Sequence, residues 1–371
     1  MDEPLFLPAE SLQALVDALQ GRGFRCVGPR VQDGAVVYGR LDDAGELPHG
    51  MRDEQGPGRY RLRHEGDGRR FAWANGPQAL KPFLFAPEEP LWRSRTDADG
   101  PVFEGLEPDT TGPLAVIGAR ACDLAALDLQ DRHFLGGPGP DPHYQARREG
   151  LFLVAVDCSH PAETCFCVST GDGPQVTAGH DLALHELGHG YVVRSGTERG
   201  AEVAAALPVR AARHDEIEQA GREVTRAVRA QHRRLPSRDL RSVLFSQLEH
   251  PQWQRVAERC LACGNCTSVC PTCFCHSEHD QAALDGSESL HLRQWDSCFT
   301  EGHSYLHGVV IRAETAQRYR QWLTHKLGSW HDQFGRSGCV GCGRCIAWCP
   351  VGIDLTEEVA ALCHSDEEAC E

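Results

Sequence analysis

The amino-acid sequence predicts an α+β fold, with an N-terminal α/β domain at residues 1–235 and an all-helical domain at residues 236–371. Apolar runs at residues 114–118 and 151–156 enclose a helical segment at residues 121–134. A strand, a helix and a strand in this order indicate parallel pairing and an α/β unit. In the last third of the chain the apolar residues have helical spacing instead, and this difference indicates a second domain.

The other elements of the first domain are short. Residues 1–110 alternate apolar runs with Gly, Pro and charged turns. Within them, residues 10–20 are predicted to form an amphipathic helix, and the alternation at residues 59–63 predicts a half-buried strand. Residues 211–262 read as largely helical, with a break at residues 235–237 where we place the domain boundary.

Composition and charge limit the possible classes of protein. The formal net charge of −16 argues against nucleic-acid binding, which needs a basic surface. The N-terminus lacks the pattern of a signal peptide and no apolar stretch is long enough for a membrane span, so we expect a cytoplasmic protein. Eighteen cysteines in such a chain indicate metal ligation rather than disulfides.

Two cysteine runs share the spacing C-x2-C-x2-C-x3-C-P, the first at residues 260–271 and the second at residues 339–350. This is the spacing of bacterial ferredoxins, in which three thiolates bind one [4Fe–4S] cluster and the fourth binds the other cluster. The sequence therefore predicts two clusters with crossed ligands. The ligands assigned to cluster 1 are Cys260, Cys263, Cys266 and Cys349, and those assigned to cluster 2 are Cys339, Cys342, Cys345 and Cys270.

Zinc is the alternative to iron–sulfur, because two C-x2-C pairs can form a zinc ribbon. Zinc needs four ligands and has no use for a third and fourth Cys in each run, repeated with the same Gly and Pro positions. Iron–sulfur is therefore favoured. Between the runs, Tyr319, Trp322, Leu323 and Lys326 have helical spacing. This spacing predicts an all-helical, ferredoxin-like dicluster domain.

A further group of cysteines lies in the first domain. Its members are Cys122, Cys158, Cys165 and Cys167. Cys122 follows one predicted parallel strand and Cys158 follows the next, where ligand sites of open α/β sheets lie. We expect a third cluster here, and small apolar core residues are the alternative reading. A competing set could complete this cluster or pack around a cluster and tune its potential; it consists of Cys273, Cys275 and Cys298.

His185, Glu186 and His189 match H-E-x-x-H, the zinc metallopeptidase signature. In such a peptidase one helix places both histidines on the same face, and the glutamate activates a zinc-bound water. Gly188 and Gly190 disfavour a helix here. We interpret the three residues as part of a turn region, and a zinc peptidase is the alternative of another class.

Several segments between residues 118 and 350 resemble the family that contains the β subunit of cytoplasmic sulfhydrogenases and the corresponding electron-transfer subunit of anaerobic sulfite reductases. The dicluster motif is shared by many redox proteins, but its combination with Cys-Phe-Cys and Ala-Cys-Asp-Leu is much narrower. The matching segments are residues 118–124, 141–144, 165–169, 260–275, 295–298, 325–327 and 339–350.

The resemblance implies a non-catalytic electron-transfer subunit of an oxidoreductase complex. Such a subunit relays electrons between a flavin subunit that handles NAD(P)H and a [NiFe] hydrogenase module, whose small and large subunits are the implied partners. A siroheme sulfite reductase is the alternative partner. The sequence shows no G-x-G-x-x-G fingerprint, no flavin motif and no hydrogenase metal ligands. We therefore predict no catalytic residues and no cofactor site beyond the clusters.

Overall fold

The computed structural model describes residues 3–78, 80–108 and 112–368. The strands are β1 (Leu5–Pro8), β2 (Arg25–Gln32), β3 (Ala35–Arg40), β4 (Met51–Gly56), β5 (Arg59–His64), β6 (Glu88–Asp97), β7 (Gly100–Gly105), β8 (Leu114–Ala119), β9 (Phe152–Val156), β10 (Leu182–Leu187), β11 (Gly190–Ser195), β12 (Arg210–Ala211), β13 (His276–Ala282), β14 (Glu288–Trp295), β15 (Tyr305–Leu306) and β16 (Val309–Val310). The helices are α1 (Leu12–Gln20), α2 (Lys81–Leu84), α3 (Ala121–Phe134), α4 (Pro142–Glu149), α5 (Cys167–Thr170), α6 (Glu198–Ala205), α7 (His214–Arg229), α8 (Leu240–Ser246), α9 (Gln252–Ala257), α10 (Asn265–Ser268), α11 (Thr315–Thr324), α12 (Trp330–Phe334), α13 (Arg344–Ala347) and α14 (Leu355–Glu368).

The large sheet has eight strands in the order β12-β1-β11-β10-β9-β8-β2-β3. Its centre is parallel, since β2, β8, β9 and β10 run in one direction, and antiparallel strands flank it on both sides. Every residue of β8 and β9 is buried, because a central parallel strand is covered on both faces. The parallel pairing predicted for these two runs is confirmed, with Val116 opposite Leu153.

Helices pack against this sheet and fix the edge where the cysteines lie. Helix α1 contacts β2, α6 contacts β11, and α7 contacts β10. Strand β8 leads directly into Arg120 and α3, and β9 leads into Asp157 and Cys158. The carboxyl ends of two neighbouring parallel strands meet at one edge of a sheet. Cys122 and Cys158 therefore follow the ends of two neighbouring strands, at the same edge of the sheet.

The last third of the chain is not all-helical, so that part of the predicted fold class is wrong. Strands β13 and β14 form an antiparallel hairpin, and β14 also pairs with β6 from the first part of the chain. The resulting sheet has the order β13-β14-β6-β7. The fold is mixed α/β, with one large sheet and smaller ones, and strands occur on both sides of the first cysteine run.

Two physical reasons explain why the sequence pattern does not indicate the β13–β14 hairpin. Strand β13 is exposed along nearly its whole length and polar on both faces, so no alternation of apolar residues marks it. Strand β14 is stabilised by β6, a distant partner that local spacing does not reveal. One short-range signal was present, because Asp285 and Gly286 form the tip and Gly286 has φ +71. Asp-Gly is a frequent hairpin turn.

A buried charge network ties this second sheet to the first domain. Glu89 on β6 accepts hydrogen bonds from Arg147 of α4 at 2.6 Å and from Arg293 of β14 at 2.5 Å. Burial alone would raise the pKa of Glu89, but the two guanidinium groups hold it below its ordinary value. Arg293 also pairs with Asp141 at the start of α4. The second sheet is thus fixed to the first domain by buried ion pairs as well as by strand pairing.

The helices of the last third enclose an apolar core of their own. Leu244, Val256, Leu323 and Val359 are all buried within it. The boundary at residues 235 and 236 stays a prediction. In the part of the chain that the structure describes, no helix has the length and apolar character that a membrane crossing requires.

Candidate metal centre

The first cysteine run forms a loop that enters the short helix α10. Gly264 at its turn has φ +73, and a Cβ there would lie 3.0 Å from Ser297 Oγ, so the turn favours glycine. The loop closes one side of a cavity whose other walls include the rings of Phe299, Tyr319 and Trp322. The four residues assigned to cluster 1 all line this cavity: Cys260, Cys263, Cys266 and Cys349.

The second run lies against the first domain. Gly341 and Gly343 have φ +62 and +74, and a Cβ on Gly341 would come within 2.6 Å of the Cys167 backbone. A Cβ on Gly343 would likewise lie 2.4 Å from the carbonyl oxygen of Thr164. The Phe166 amide donates to the Gly341 carbonyl at 2.8 Å. Glycines in this run therefore serve a close approach of two backbones as well as a turn.

Two groups of thiols are recognisable from their mutual electrostatic effects. Burial and four neighbouring thiols raise the pKa of Cys345 well above its ordinary value; these neighbours are Cys339, Cys342, Cys270 and, with the smallest effect, Cys266. Burial raises the pKa of Cys266 in the same way, and its neighbours include Cys260, Cys349 and Cys263. Cys345 and Cys266 are thus each surrounded by thiols of both runs.

This donor set fits iron–sulfur clusters. Buried thiols with a raised pKa are neutral by themselves, and a bound metal cation deprotonates them outright. Among the described residues, no three His, Cys, Asp or Glu side chains meet closely enough to hold a metal ion. Thiolates of a [4Fe–4S] cluster each bind a different iron, so they stand farther apart than the ligands of one ion. The assignment of individual ligands stays a prediction.

The first-domain cysteines lie beside the second run, each only 5–8 % exposed. Burial, then the thiols of Cys167 and Cys158, raises the pKa of Cys165. Cys342 of the second run is a further neighbour of Cys165 and also of Cys122. Asn75 joins the two segments, because its amide donates to the Cys342 carbonyl at 2.8 Å. The structure therefore brings this quartet together at the edge of the large sheet that faces the second cysteine run.

Arg120 places a buried positive charge next to the quartet. Its guanidinium donates to the carbonyl oxygens of Phe71 at 2.8 Å and Trp73 at 2.6 Å, and it stacks on the Trp73 ring. Its charge also acts on the buried Glu186 carboxylate, where it opposes the rise in pKa that burial causes. Burial raises the pKa of Cys158, and Arg120 opposes that rise as well. Thiolates bound to iron would add negative charge beside this cation.

The competing set lies beside the first cysteine run, with Cys273 next to Cys270 and Cys298 next to Cys266. Cys273 hydrogen-bonds to Cys270. Cys275 hydrogen-bonds to Cys298 and to His303, and these two contacts lower its pKa to about 4 against the effect of burial. The competing cysteines thus form a second group, separate from the first-domain quartet.

Lys326 is a buried cation beside the first cysteine run that the cysteine pattern did not identify. It is 5 % exposed, and its ammonium donates to Thr272 Oγ1 at 2.8 Å and to Cys270 Sγ at 3.5 Å. Burial alone would lower its pKa, but the neighbouring sulfur groups of Cys270 and Cys273 hold it well above its ordinary value. The signal was present in the sequence, because Lys326 occupies a position in the apolar stripe of a helix. A π-helical turn at His325–Ser329, a feature frequent at functional sites, carries it.

Replacing Lys326 with Met should lower the reduction potential of cluster 2. A positive charge in contact with a cluster ligand favours the added electron, so its loss should shift the reduction equilibrium at least tenfold, about 59 mV for one electron. A redox titration followed by electron paramagnetic resonance measures this shift. Lys326→Arg keeps the charge and should stay close to the wild type. An unchanged potential in Lys326→Met with full iron content would contradict the assignment.

The H-E-x-x-H residues do not share a helix face. His185 and Glu186 lie on β10, where neighbouring side chains point to opposite faces. His185 pairs with Asp157 at 3.2 Å. Glu186 accepts from the backbone amides of residues 70 and 71 at 2.7 and 2.8 Å, and His189 contacts Glu216 at 3.2 Å. All three side chains are therefore engaged in separate structural contacts.

Comparisons with known proteins agree with this chemistry. Residues 259–353 and residues 223–274 match two family models, each described as a 4Fe–4S dicluster domain. Over 283 residues the chain is 31% identical to "Sulfhydrogenase 2 subunit beta" of Pyrococcus furiosus, which covers 74% of this chain and 79% of that protein. No solved structure matches the chain.

Buried thiol groups and dicluster sequence models together define the class of this molecule, an iron–sulfur electron-transfer subunit. The extent of the similarity to the Pyrococcus protein also identifies the family within this class. The chain belongs to the family of sulfhydrogenase β subunits, which confirms the resemblance found in the sequence.

Proposed function

We propose that the chain relays electrons through [4Fe–4S] clusters between a flavin subunit that oxidises or reduces NAD(P)H and a [NiFe] hydrogenase module. The observation that carries this proposal is the meeting of both cysteine runs around one cavity, which Cys345 and Cys349 line together with the thiols of the first run. Two clusters that take ligands from the same cysteine run lie close together, and electron transfer between clusters requires a short distance between them. The printed name of the Pyrococcus relative supports a place in a hydrogenase complex.

The cofactors proposed are cluster 1, cluster 2 and a third cluster on the first-domain quartet. The quartet is buried, it faces Cys342 of the second run, and Arg120 supplies a cation beside it. A cluster there would extend the relay from the dicluster region into the first domain. That extension gives the first domain a role in electron transfer in addition to docking. We also propose a cytoplasmic location, because iron–sulfur clusters held by cysteine thiolates suit a reducing compartment.

Iron content tests this proposal directly. Anaerobically purified protein should contain about twelve iron atoms per chain for three [4Fe–4S] clusters, or about eight for two. Cys165→Ser should remove about four of the twelve, while Cys26→Ala, a buried cysteine of the apolar core, should remove none. Fewer than about eight iron atoms per chain would contradict the relay through two clusters.

The partners are tested by what purifies with the chain from its native host. Nickel and flavin in the co-purifying subunits would support the hydrogenase complex. Siroheme in their place would support the alternative, a relay subunit of an anaerobic sulfite reductase. A zinc peptidase would instead lose proteolysis in Glu186→Gln while its iron content stayed unchanged.

A further inference from the structure

The base of the β13–β14 hairpin brings two thiols together outside the predicted ligand sets of clusters 1 and 2. Cys275 directly precedes β13, and the Asp296 amide that follows β14 donates to the Cys275 carbonyl at 2.9 Å. The register continues from this bond, since His276 is the partner of Trp295. Cys298 lies two residues beyond Asp296, and its thiol hydrogen-bonds to that of Cys275. Strand pairing thus holds the two sulfur atoms in contact.

A histidine and a carboxylate complete the arrangement. His303 hydrogen-bonds to Cys275, and its Nδ1 lies 3.3 Å from Asp296 Oδ2. A thiol beside an imidazole that is oriented by a third group is the pattern of an activated nucleophile. Three elements of the fold supply these groups, since Cys275 precedes one strand, Asp296 follows its partner, and His303 lies beyond it.

Cys275 is also accessible to a small molecule. It lines a cavity of about 300 Å³ together with Cys273, Lys81 and Trp295. That volume lies at the lower end of small-ligand pockets. Cys263, a predicted ligand of cluster 1, lines the same cavity. Cys298 lies on the other side of Cys275 and neighbours Cys266 of the same predicted cluster.

We propose that Cys275 and Cys298 form a redox-active dithiol that reduces the S–S bond of a low-molecular-weight disulfide with electrons from the clusters. This inference rests on the proposed function, which supplies those electrons. Cys275 faces the cavity and is the attacking sulfur, and Cys298 behind it is the resolving thiol. His303, held by Asp296, exchanges the proton.

The reaction balances in three steps. The Cys275 thiolate attacks one sulfur of the disulfide, so that a mixed disulfide forms and the first thiolate leaves with the proton of the His303 imidazolium. Cys298 then attacks the Cys275 sulfur, which forms the Cys275–Cys298 disulfide, and the proton of Cys298 leaves with the second thiolate. Two electrons, delivered one at a time by the clusters, and two protons from solvent restore the Cys275 thiolate, the protonated His303 and the Cys298 thiol. The net change is one disulfide, two electrons and two protons converted to two thiols.

The probe is bis(2-hydroxyethyl) disulfide, added to anaerobically purified, cluster-loaded protein with oxidised clusters. Peptide mapping without reductant should find Cys275 joined to Cys298 in the wild type. In Cys298→Ser the mixed disulfide should accumulate instead, as a mercaptoethanol adduct on Cys275, and Cys275→Ser should show neither product. Cys26→Ala, changed at a buried core cysteine, should behave as the wild type does.

A reductive titration gives a second readout. After treatment with the probe, the wild type should take up two electrons per chain more than Cys275→Ser at equal iron content, because only the wild type then contains an S–S bond. Absence of the Cys275–Cys298 bond in iron-replete wild type would overturn the proposal. So would a loss of about four iron atoms per chain in Cys275→Ser or Cys298→Ser, because the thiols would then be cluster ligands. Too little iron in the wild type would instead contradict the relay, while the disulfide mapping would still report on the dithiol.

Discussion

Changing Cys260 and Cys349 together to serine should remove about four iron atoms per chain, the same number that either single change removes. With crossed ligation both residues bind cluster 1, so the second substitution has no further cluster to destroy. Changing Cys339 and Cys349 together should remove about eight, because these residues then belong to different clusters. Anaerobic iron determination and the electron paramagnetic resonance of the remaining cluster measure both results.

The two double variants are matched, since each removes two predicted cluster ligands and both include Cys349. If every run supplied all four ligands of its own cluster, their results would be exchanged: Cys260 with Cys349 would lose about eight iron atoms and Cys339 with Cys349 would lose about four. Metal binding also contributes to folding free energy. Variants that keep one cluster of the pair should therefore unfold at a lower urea concentration than the wild type. Variants that keep neither cluster should unfold at a lower urea concentration than those that keep one.

Arg344→Met should destabilise the protein by about 3–5 kcal/mol. Arg344 is 1 % exposed and its guanidinium lies 2.8 Å from Asp123 Oδ1, which is equally buried. It also donates to the Gly76 carbonyl at 3.0 Å. Removing the cation leaves the Asp123 carboxylate buried and unpaired where α3 begins. Because proteins are stable by only about 5–15 kcal/mol, this loss is a large fraction of the whole.

Urea unfolding followed by circular dichroism measures the effect, and two controls define its origin. Arg40→Met breaks an ion pair with Asp42 whose side chains are 72% and 58% exposed, and it should cost at most about 1 kcal/mol. Asp123→Asn combined with Arg344→Met removes both charges, so it should recover much of the lost stability. Equal destabilisation by the single and double variants would show that packing, rather than the unpaired carboxylate, causes the loss.

The second run illustrates how much of the site was predictable. The repeated spacing and its glycines identified the iron–sulfur chemistry because cluster ligation is a local property of the chain. The spacing could not show that Gly341 also contacts the backbone of Cys167, since that approach depends on how the first domain folds. The first run has Ala262 at the equivalent position with φ +50, so the turn alone does not require glycine there, whereas the close approach to Cys167 does.

The buried cations show a similar limit. Lys326 could have been noticed, because a lysine in an apolar helical stripe is unusual, but nothing local indicates that its ammonium contacts Cys270 Sγ. Arg120 and Arg344 lie in two of the segments that carry the family resemblance, but nothing local indicates their electrostatic partners. Arg120 acts on Cys158, and Arg344 pairs with Asp123, which is distant in the sequence. Electrostatic partners of this kind are a property of the assembled fold.

The sequence by itself determined the two cysteine runs, the chemistry they support, the family and the parallel strands at the centre of the large sheet. These features depend on spacing within short segments and on runs of apolar residues. Only the tertiary structure decided that β13 and β14 form a hairpin paired to β6, and that Cys122, Cys158, Cys165 and Cys167 gather beside the second run. Both depend on contacts between distant segments, because a polar strand gains its stability from its partner and a buried thiol gains its neighbours from the packing of two parts of the chain.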